Sequence, residues 1–120
     1  MSHKILVADD NAASRELIRE VLEMSGYDVM EAVDGREAVA RAREGVPDLL
    51  LVDIQMPHVD GFGVLRELRS DPRLSNVRVV ALTAFAMHGD RERALDAGFD
   101  GYISKPVEIA ALRKEIQRFL

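Results

Sequence analysis

The chain has 120 residues, a formal net charge of −5 and no cysteine. This length fits one domain with a core of its own, and the absence of cysteine excludes disulfides and thiolate metal sites. No apolar run approaches a membrane span, the first residues do not form a signal peptide, and no basic cluster offsets the acidic charge. We therefore expect one domain over residues 1–120, in the cytoplasm, without direct binding to nucleic acid or membrane.

The chain opens with a strand pattern and a helix pattern. Residues Lys4–Ala8 form a short apolar run that is typical of a buried strand. Asn11 is a candidate N-cap for the helix that follows, and Gly26 is placed to end it. The apolar residues expected on the inner face of this helix are Ala13, Leu17, Ile18, Val21 and Met24. Residues 27–32 predict a second strand.

The alternation continues through the middle of the chain. Asp34 followed by Glu37 has the spacing of a capping box, for a helix that ends near Gly45. Leu49–Val52 is apolar throughout and predicts a third, fully buried strand. Residues 62–70 predict a helix that Asp-Pro ends. Its inward residues are Val64, Leu65 and Leu68.

The last third repeats the pattern twice more. Residues 77–83 predict a fourth strand and residues 90–97 a helix, with Gly98 at its end. Residues 101–104 predict a short fifth strand. An amphipathic helix closes the chain, with its apolar face formed by Ile109, Leu112, Ile116 and Phe119.

Strands that alternate with helices in this way predict an α/β domain with a parallel sheet and helices on both faces. Right-handed crossovers leave few topologies, and the doubly wound strand order 2-1-3-4-5 is one of two common solutions. The pattern alone does not choose between them.

Polar residues end the predicted strands, where open α/β sheets bind ligands. The first strand is followed by Asp9 and Asp10, and the third, fourth and fifth lead into Asp53, Thr83 and Lys105. Each residue alone has an ordinary interpretation as a cap, a turn former or a solvated charge. Together they bring three carboxylates, a hydroxyl and an amine to one edge of the sheet.

Three carboxylates at one point repel each other, so one of them holds a proton or a cation neutralises them. Oxygen ligands without histidine or cysteine favour Mg²⁺ over zinc. A metal and an ammonium can neutralise the charge of a phosphoryl group while a carboxylate attacks in line, which gives an acyl phosphate. The residues therefore predict phosphoryl transfer to an aspartate.

The sequence resembles the receiver domain of two-component response regulators over its whole length. The residues that carry the resemblance are Asp9-Asp10, Asp53-Ile54-Gln55-Met56-Pro57 with Asp60-Gly61-Phe62, Leu82-Thr83-Ala84, and Ser104-Lys105-Pro106. The resemblance implies the strand order 2-1-3-4-5 of flavodoxin-like receiver folds. It also implies a switch that accepts a phosphoryl group from a histidine kinase or histidine phosphotransferase.

The resemblance assigns the acceptor and the metal ligands. It makes Asp53 the residue that is phosphorylated, Asp10 the direct metal ligand, and Asp9 a second acid that can act through water. The main-chain carbonyl of Gln55 is the remaining ligand. The implied ion is Mg²⁺, with Mn²⁺ as an alternative.

Other residues receive roles in the same way. Thr83 resembles the hydroxyl that meets the phosphoryl oxygens, and Lys105 resembles the cation that pairs with them. The Lys105-Pro106 bond is cis in receivers and is expected to be cis here. Tyr102 occupies the place of the switch aromatic, although an ordinary half-buried strand aromatic is the other interpretation. Gln55 and Phe85 occupy positions that affect phosphoryl lifetime in the family.

Three other classes of protein are worth weighing. A Mg²⁺-dependent phosphatase with an aspartate nucleophile needs an acid where this chain has Gln55. A nucleotide or flavin carrier needs a glycine-rich phosphate loop after the first strand, where Asp9 and Asp10 would repel phosphate. The remaining alternative is a degenerate receiver that binds partners without phosphorylation. We expect a receiver that is not a turnover enzyme, contacts a downstream protein, and is a monomer or a weak phosphorylation-dependent dimer.

Overall fold

Alternating strands and helices build the domain in a computed structural model, which describes residues 3–84 and 90–120. The strands are β1 (Lys4–Ala8), β2 (Asp28–Ala32), β3 (Leu49–Asp53), β4 (Arg78–Thr83) and β5 (Gly101–Ser104). The helices are α1 (Ala12–Met24), α2 (Gly35–Gly45), α3 (Gly61–Ser70), α4 (Asp90–Ala97) and α5 (Ile109–Phe119). Every predicted element is present, with ends within one or two residues of the prediction.

The sheet has the order β2-β1-β3-β4-β5, and all of its neighbouring strands are parallel. This is the doubly wound order 2-1-3-4-5, so the predicted fold class is confirmed. The order reverses at β1 and β3, and the carboxyl ends of these two strands lie side by side. All five residues of β3 are buried, as the continuous apolar run predicts for a central parallel strand.

Residues that alternate along the strands pack on opposite faces of the sheet. Leu6 and Leu50 join one core cluster, with the buried residues of α2, α3 and α4, whereas Ile5 and Leu51 join another, with those of α1 and α5. This division follows from the two-residue period of side chains in a strand. Helices on both faces therefore hold the central strands rigidly, and the strand ends inherit that rigidity.

Side-chain caps fix where three of the helices begin. Asn11 accepts a hydrogen bond from the amide of Ser14, Asp34 from the amide of Glu37, and Asp60 from the amide of Gly63. The first two are the predicted caps. Gly98, which follows the last residue of α4, has a φ of 111°. Glycine adopts this value without strain because it has no Cβ atom.

The predicted inner faces of α1 and α5 need correction. In α1 the buried residues are Ile18, Val21 and Leu22, and in α5 they are Leu112 and Ile116. Four residues of the predicted apolar faces are exposed instead of buried: Ala13, Leu17, Met24 and Ile109. Ile18, Val21 and Leu22 have the i, i+3, i+4 spacing of one helix face, and the sheet meets this row rather than the neighbouring one.

None of the helices in the described residues is long and apolar enough to cross a membrane.

Candidate functional site

The residues that were predicted to end the strands meet at one edge of the sheet. Asp9 and Asp10 directly follow β1, Asp53 is the last residue of β3, and Thr83 is the last residue of β4. Lys105 follows the last residue of β5. Since β1 and β3 are adjacent, their terminal carboxylates share one pocket, and the neighbouring strands bring the hydroxyl and the amine to the same edge.

The three carboxylates form one cluster. Asp9, Asp10 and Asp53 each offer an oxygen atom within 4.8 Å of the other two. Asp9 is fully buried and Asp53 is 6% exposed, whereas Asp10 lies on the surface. Asp9 thus forms the buried side of the cluster, and the side beside Asp10 is open to solvent.

Main-chain amides orient the two buried carboxylates. The amide of Asn11 donates to Asp9 Oδ1 over 2.9 Å, and the amide of Gln55 donates to Asp53 Oδ1 over 2.9 Å. In both cases the donor lies two residues after the aspartate, in the turn that leaves the strand. Each carboxylate consequently has one oxygen held by its own loop and the other directed to the shared pocket.

Lys105 binds the remaining oxygens. Its ammonium nitrogen is 2.7 Å from Asp53 Oδ2 and 2.8 Å from Asp9 Oδ2, and its side chain is 13% exposed. The Lys105-Pro106 peptide bond is cis, as predicted. The amide of Lys105 also donates to the carbonyl of Thr83 over 2.7 Å, which ties the β5 loop to the end of β4.

Burial and charge act in opposite directions on these groups. Burial raises the pKa of Asp53 above its usual value, and the contacts with Lys105 and the Gln55 amide lower it only in part. Burial also acts to lower the pKa of Lys105, but its contacts with Asp53 and Asp9 outweigh this and raise that pKa. Lys105 is therefore a firmly protonated cation between two acids.

The donor set fits a hard divalent cation. With all three carboxylates ionised, one ammonium leaves two negative charges (three minus one) in the cluster. Asp9 Oδ2 is buried, and the Lys105 ammonium at 2.8 Å is the cation that contacts it within the described residues. Oxygen ligands with this excess charge match Mg²⁺.

A glycine allows the loop after β3 to fold tightly against the end of that strand. The amide of Gly61 donates to the carbonyl of Ile54 over 2.9 Å. A Cβ atom at position 61 would lie 2.8 Å from Ile54 Cα and 2.9 Å from the carbonyl oxygen of Asp53. The Asp60-Gly61 pair thus both caps α3 and keeps the β3 loop in place.

The two residues of the predicted switch lie on neighbouring strands. Thr83 is buried, and its β5 partner in the strand register is Ser104. Tyr102 is half-buried on β5, packs against the core and lines a surface groove with Leu95 of α4. Phe85, which was linked to phosphoryl lifetime, lies outside the described residues.

One contact at the edge of the site could not be predicted from the sequence. The guanidinium of Arg15 donates to the main-chain carbonyl of Asp9 over 2.9 Å. It also pairs with Glu31 of β2, with Nε to Oε1 at 3.1 Å. No periodicity links these positions, because the contact depends on how α1 crosses β2.

Comparison with known proteins defines the class of protein. The family model described as response regulator receiver domain matches residues 5–117, and the chain belongs to this family. Receiver domains act in phosphorylation-dependent two-component signalling, and they interact with histidine kinases and downstream partners. They are generally switches rather than turnover enzymes, and they typically bind Mg²⁺.

Individual relatives match this chain over nearly their whole length. The chain is 40% identical to the polar-differentiation response regulator DivK of Brucella ovis, over 100% of this chain and 98% of that protein. It superimposes on the chemotaxis response regulator CheY4 of Vibrio cholerae with a TM-score of 0.93 and 29% identity, with both chains fully covered. A receiver domain of a sensor histidine kinase from Pseudomonas aeruginosa, described with magnesium coordinated in its active site cleft, gives 0.90 and 36% identity over 99% of this chain and 98% of that chain.

Proposed function

We propose that Asp53 accepts a phosphoryl group from the phosphohistidine of a sensor histidine kinase or histidine phosphotransferase. The observation that carries the proposal is the position of the Asp53 carboxylate at the end of the central strand, 2.7 Å from the Lys105 ammonium and within the acid cluster. An acceptor of this kind needs cationic groups around it to bind the incoming phosphoryl oxygens.

In the proposed reaction a carboxylate oxygen of Asp53 attacks phosphorus, the bond from phosphorus to the donor's imidazole nitrogen breaks, and that nitrogen keeps the electron pair. The product is an acyl phosphate. Lys105 already touches Asp53 Oδ2, so it stands ready to pair with the new oxygens. Thr83, at the end of the next strand, offers a neutral hydroxyl to the same group.

Asp9, Asp10, Asp53 and the carbonyl of Gln55 would hold the Mg²⁺, with Mn²⁺ as an alternative ion. When bound, the metal would neutralise charge on the phosphoryl oxygens. The support for this assignment is the cluster itself, in which three carboxylates each offer an oxygen within 4.8 Å of the others and share one ammonium. The buried carboxylates are held in place by the amides of their own loops, so little ordering is needed on binding.

The output of the proposed switch is a change of surface. A phosphoryl group adds about two negative charges and three acceptor oxygens. We propose that the Thr83 hydroxyl moves toward these oxygens and that Tyr102 turns inward. Because Tyr102 lines a groove between α4 and α5, its movement would alter the surface that a downstream protein contacts.

We assign residues 1–120 to one receiver domain that promotes its own phosphorylation and dephosphorylation but turns over no other substrate. We also propose that the protein is cytoplasmic, where it exchanges a phosphoryl group with a kinase. We propose that it is a monomer or forms a weak dimer on phosphorylation. Neither nucleic acid nor membrane is a proposed partner of this chain.

Intact mass after incubation with acetyl phosphate and Mg²⁺ tests the acceptor. The wild type and Asp28→Asn, which changes an exposed aspartate at the opposite end of the sheet, should gain one phosphoryl group. Asp53→Asn should gain none, since an amide is a poor nucleophile. Labelling of Asp53→Asn, or labelling mapped to Asp9 or Asp10, would refute the assignment. No labelling of the wild type would favour a phosphorylation-independent binding module.

A further inference from the structure

Beyond the acid cluster, one cation contacts the main chain of the site instead of its carboxylates. The Arg15 side chain is 16% exposed and extends from α1 to the loop that follows β1. Its Nη1 donates to the carbonyl of Asp9, and its Nε pairs with Glu31 of β2. The guanidinium therefore connects three segments of the chain, β2, α1 and the loop that carries both acids.

The carbonyl of Asp9 belongs to the peptide that joins Asp9 to Asp10. It lies beyond the last residue of β1, and within the described residues its sole hydrogen-bond donor is Arg15. The orientation of this peptide sets the direction in which the chain presents the Asp10 side chain. Asp10 is exposed and has no side-chain partner in the part of the chain that the structure describes, so its direction depends on its backbone.

Glu31 in turn is held from two sides. Arg15 binds its Oε1 over 3.1 Å, and Arg19, one turn further along α1, binds its Oε2 over 3.2 Å. Arg19 also pairs with Glu23 over 3.2 Å. The carboxylate of Glu31 thus fixes the planar guanidinium of Arg15 in one orientation, as a forked donor with two acceptors at set angles.

We infer that Arg15 is a positioning residue for metal binding, which acts by holding the Asp9-Asp10 peptide and thereby the carboxylate of Asp10. The inference rests on the proposed Mg²⁺ site. Loss of an outer contact of this kind typically lowers metal affinity by about 10- to 100-fold.

The sign of the effect separates positioning from simple electrostatics. Arg15 is a cation close to a site that takes a cation, so its removal by charge alone should tighten Mg²⁺ binding. Removal of a positioning contact should weaken it. Arg19 provides the matched control, because it carries the same charge on the same helix and binds the same Glu31 but has no contact with Asp9.

The test is an amide NMR titration of Mg²⁺ into the wild type, Arg15→Ala, Arg15→Lys and Arg19→Ala, with thermal midpoints measured in EDTA to follow stability. Arg15→Ala should weaken Mg²⁺ binding about tenfold or more. Arg19→Ala should stay within about twofold of the wild type or bind slightly tighter, because Arg19 is partly exposed and does not contact the loop that carries the acids. Arg15→Lys should fall between Arg15→Ala and the wild type, because one ammonium cannot reproduce both bonds.

Several results would overturn the inference. Unchanged or tighter Mg²⁺ binding by Arg15→Ala would do so, as would an equal loss in Arg19→Ala, which would point to the ion pairs with Glu31 rather than to the bond between Arg15 and the Asp9 carbonyl. If Arg15→Ala does not fold, wild-type affinity in Arg15→Lys is the refuting result. A wild type that binds no Mg²⁺ would remove the proposed metal site as well, so the two failures are distinguishable.

Discussion

Asp10 should have opposite effects on stability without and with metal, and Asp10→Asn tests this. Two unit charges 4.8 Å apart interact by about 0.9 kcal/mol in water-like screening and about 3.5 kcal/mol at an effective dielectric constant of 20. Asp10 is exposed and Lys105 offsets part of the repulsion, so the lower figure applies. Asp10→Asn should therefore stabilise the metal-free protein by about 1 kcal/mol, which raises the thermal midpoint by about 3–6 °C in a domain of this size.

Mg²⁺ should reverse the order of the two proteins. An ion at a hundredfold excess over its dissociation constant stabilises the folded state by about 2.7 kcal/mol, or roughly 10 °C. The wild type should gain this amount, whereas Asp10→Asn lacks the proposed direct ligand and should gain little. The wild type should then be the more stable protein in Mg²⁺ and the less stable one in EDTA.

Thermal unfolding by circular dichroism at fixed ionic strength, in EDTA and in Mg²⁺, measures both effects. Asp28→Asn is the control, because Asp28 is also an exposed aspartate but lies at the amino end of β2, away from the cluster. Its response to Mg²⁺ should equal that of the wild type. A lower midpoint for Asp10→Asn in EDTA would show that the acids do not repel each other. A full Mg²⁺ response in Asp10→Asn would show that Asp10 is not a ligand.

Two further changes have defined outcomes. Thr83→Ala should still be labelled on Asp53 but should lose most of the amide NMR shifts that a beryllofluoride phosphate mimic causes around Tyr102; equal shifts in both proteins would contradict the switch. Val46→Gly should stabilise the protein by about 1 kcal/mol in chemical unfolding, because Val46 has a φ of 37°, where a Cβ atom costs about 1–2 kcal/mol and the flexibility of glycine offsets part of the gain. Val46→Ala, which keeps the Cβ atom, should gain less, and an equal gain would mean that backbone strain is not the cause.

The sequence could predict which edge of the sheet carries the site, because a parallel sheet places the carboxyl ends of all its strands at one edge. The prediction that Asp53 and Thr83 lie at the same edge required only that the ends of their strands be assigned correctly. The apolar runs before the two residues define those ends well. The contact between Lys105 and the acids followed from the family resemblance. These features depend on strand order and direction, which the pattern and the resemblance constrain.

Features that depend on how a helix lies on the sheet were not predictable in this way. Two neighbouring rows of apolar residues run along α1, and the one that contains Leu22 is buried while Met24 is 82% exposed. The same rotation of α1 brings Arg15 to Glu31, which is sixteen residues away in the chain. The hydrophobic period defines the buried face of a helix only to within about one residue. A hydrogen bond between side chains of two elements depends on the rotation of the helix about its axis more precisely than that.

The end of α2 shows how a tertiary contact can override a local preference. A glycine near the end of a helix commonly takes the left-handed conformation, but α2 includes Gly45, and Val46 takes that conformation instead. A Cβ atom at position 45 would lie 2.8 Å from Met30 Cε, the end of a flexible side chain that can shift, so packing does not require a glycine there. The carbonyl of Gly45 accepts a hydrogen bond from Lys4 Nζ over 2.9 Å, which ties the last residue of α2 to the first residue of β1. This main-chain contact holds Gly45 in the helix, and the next residue makes the turn.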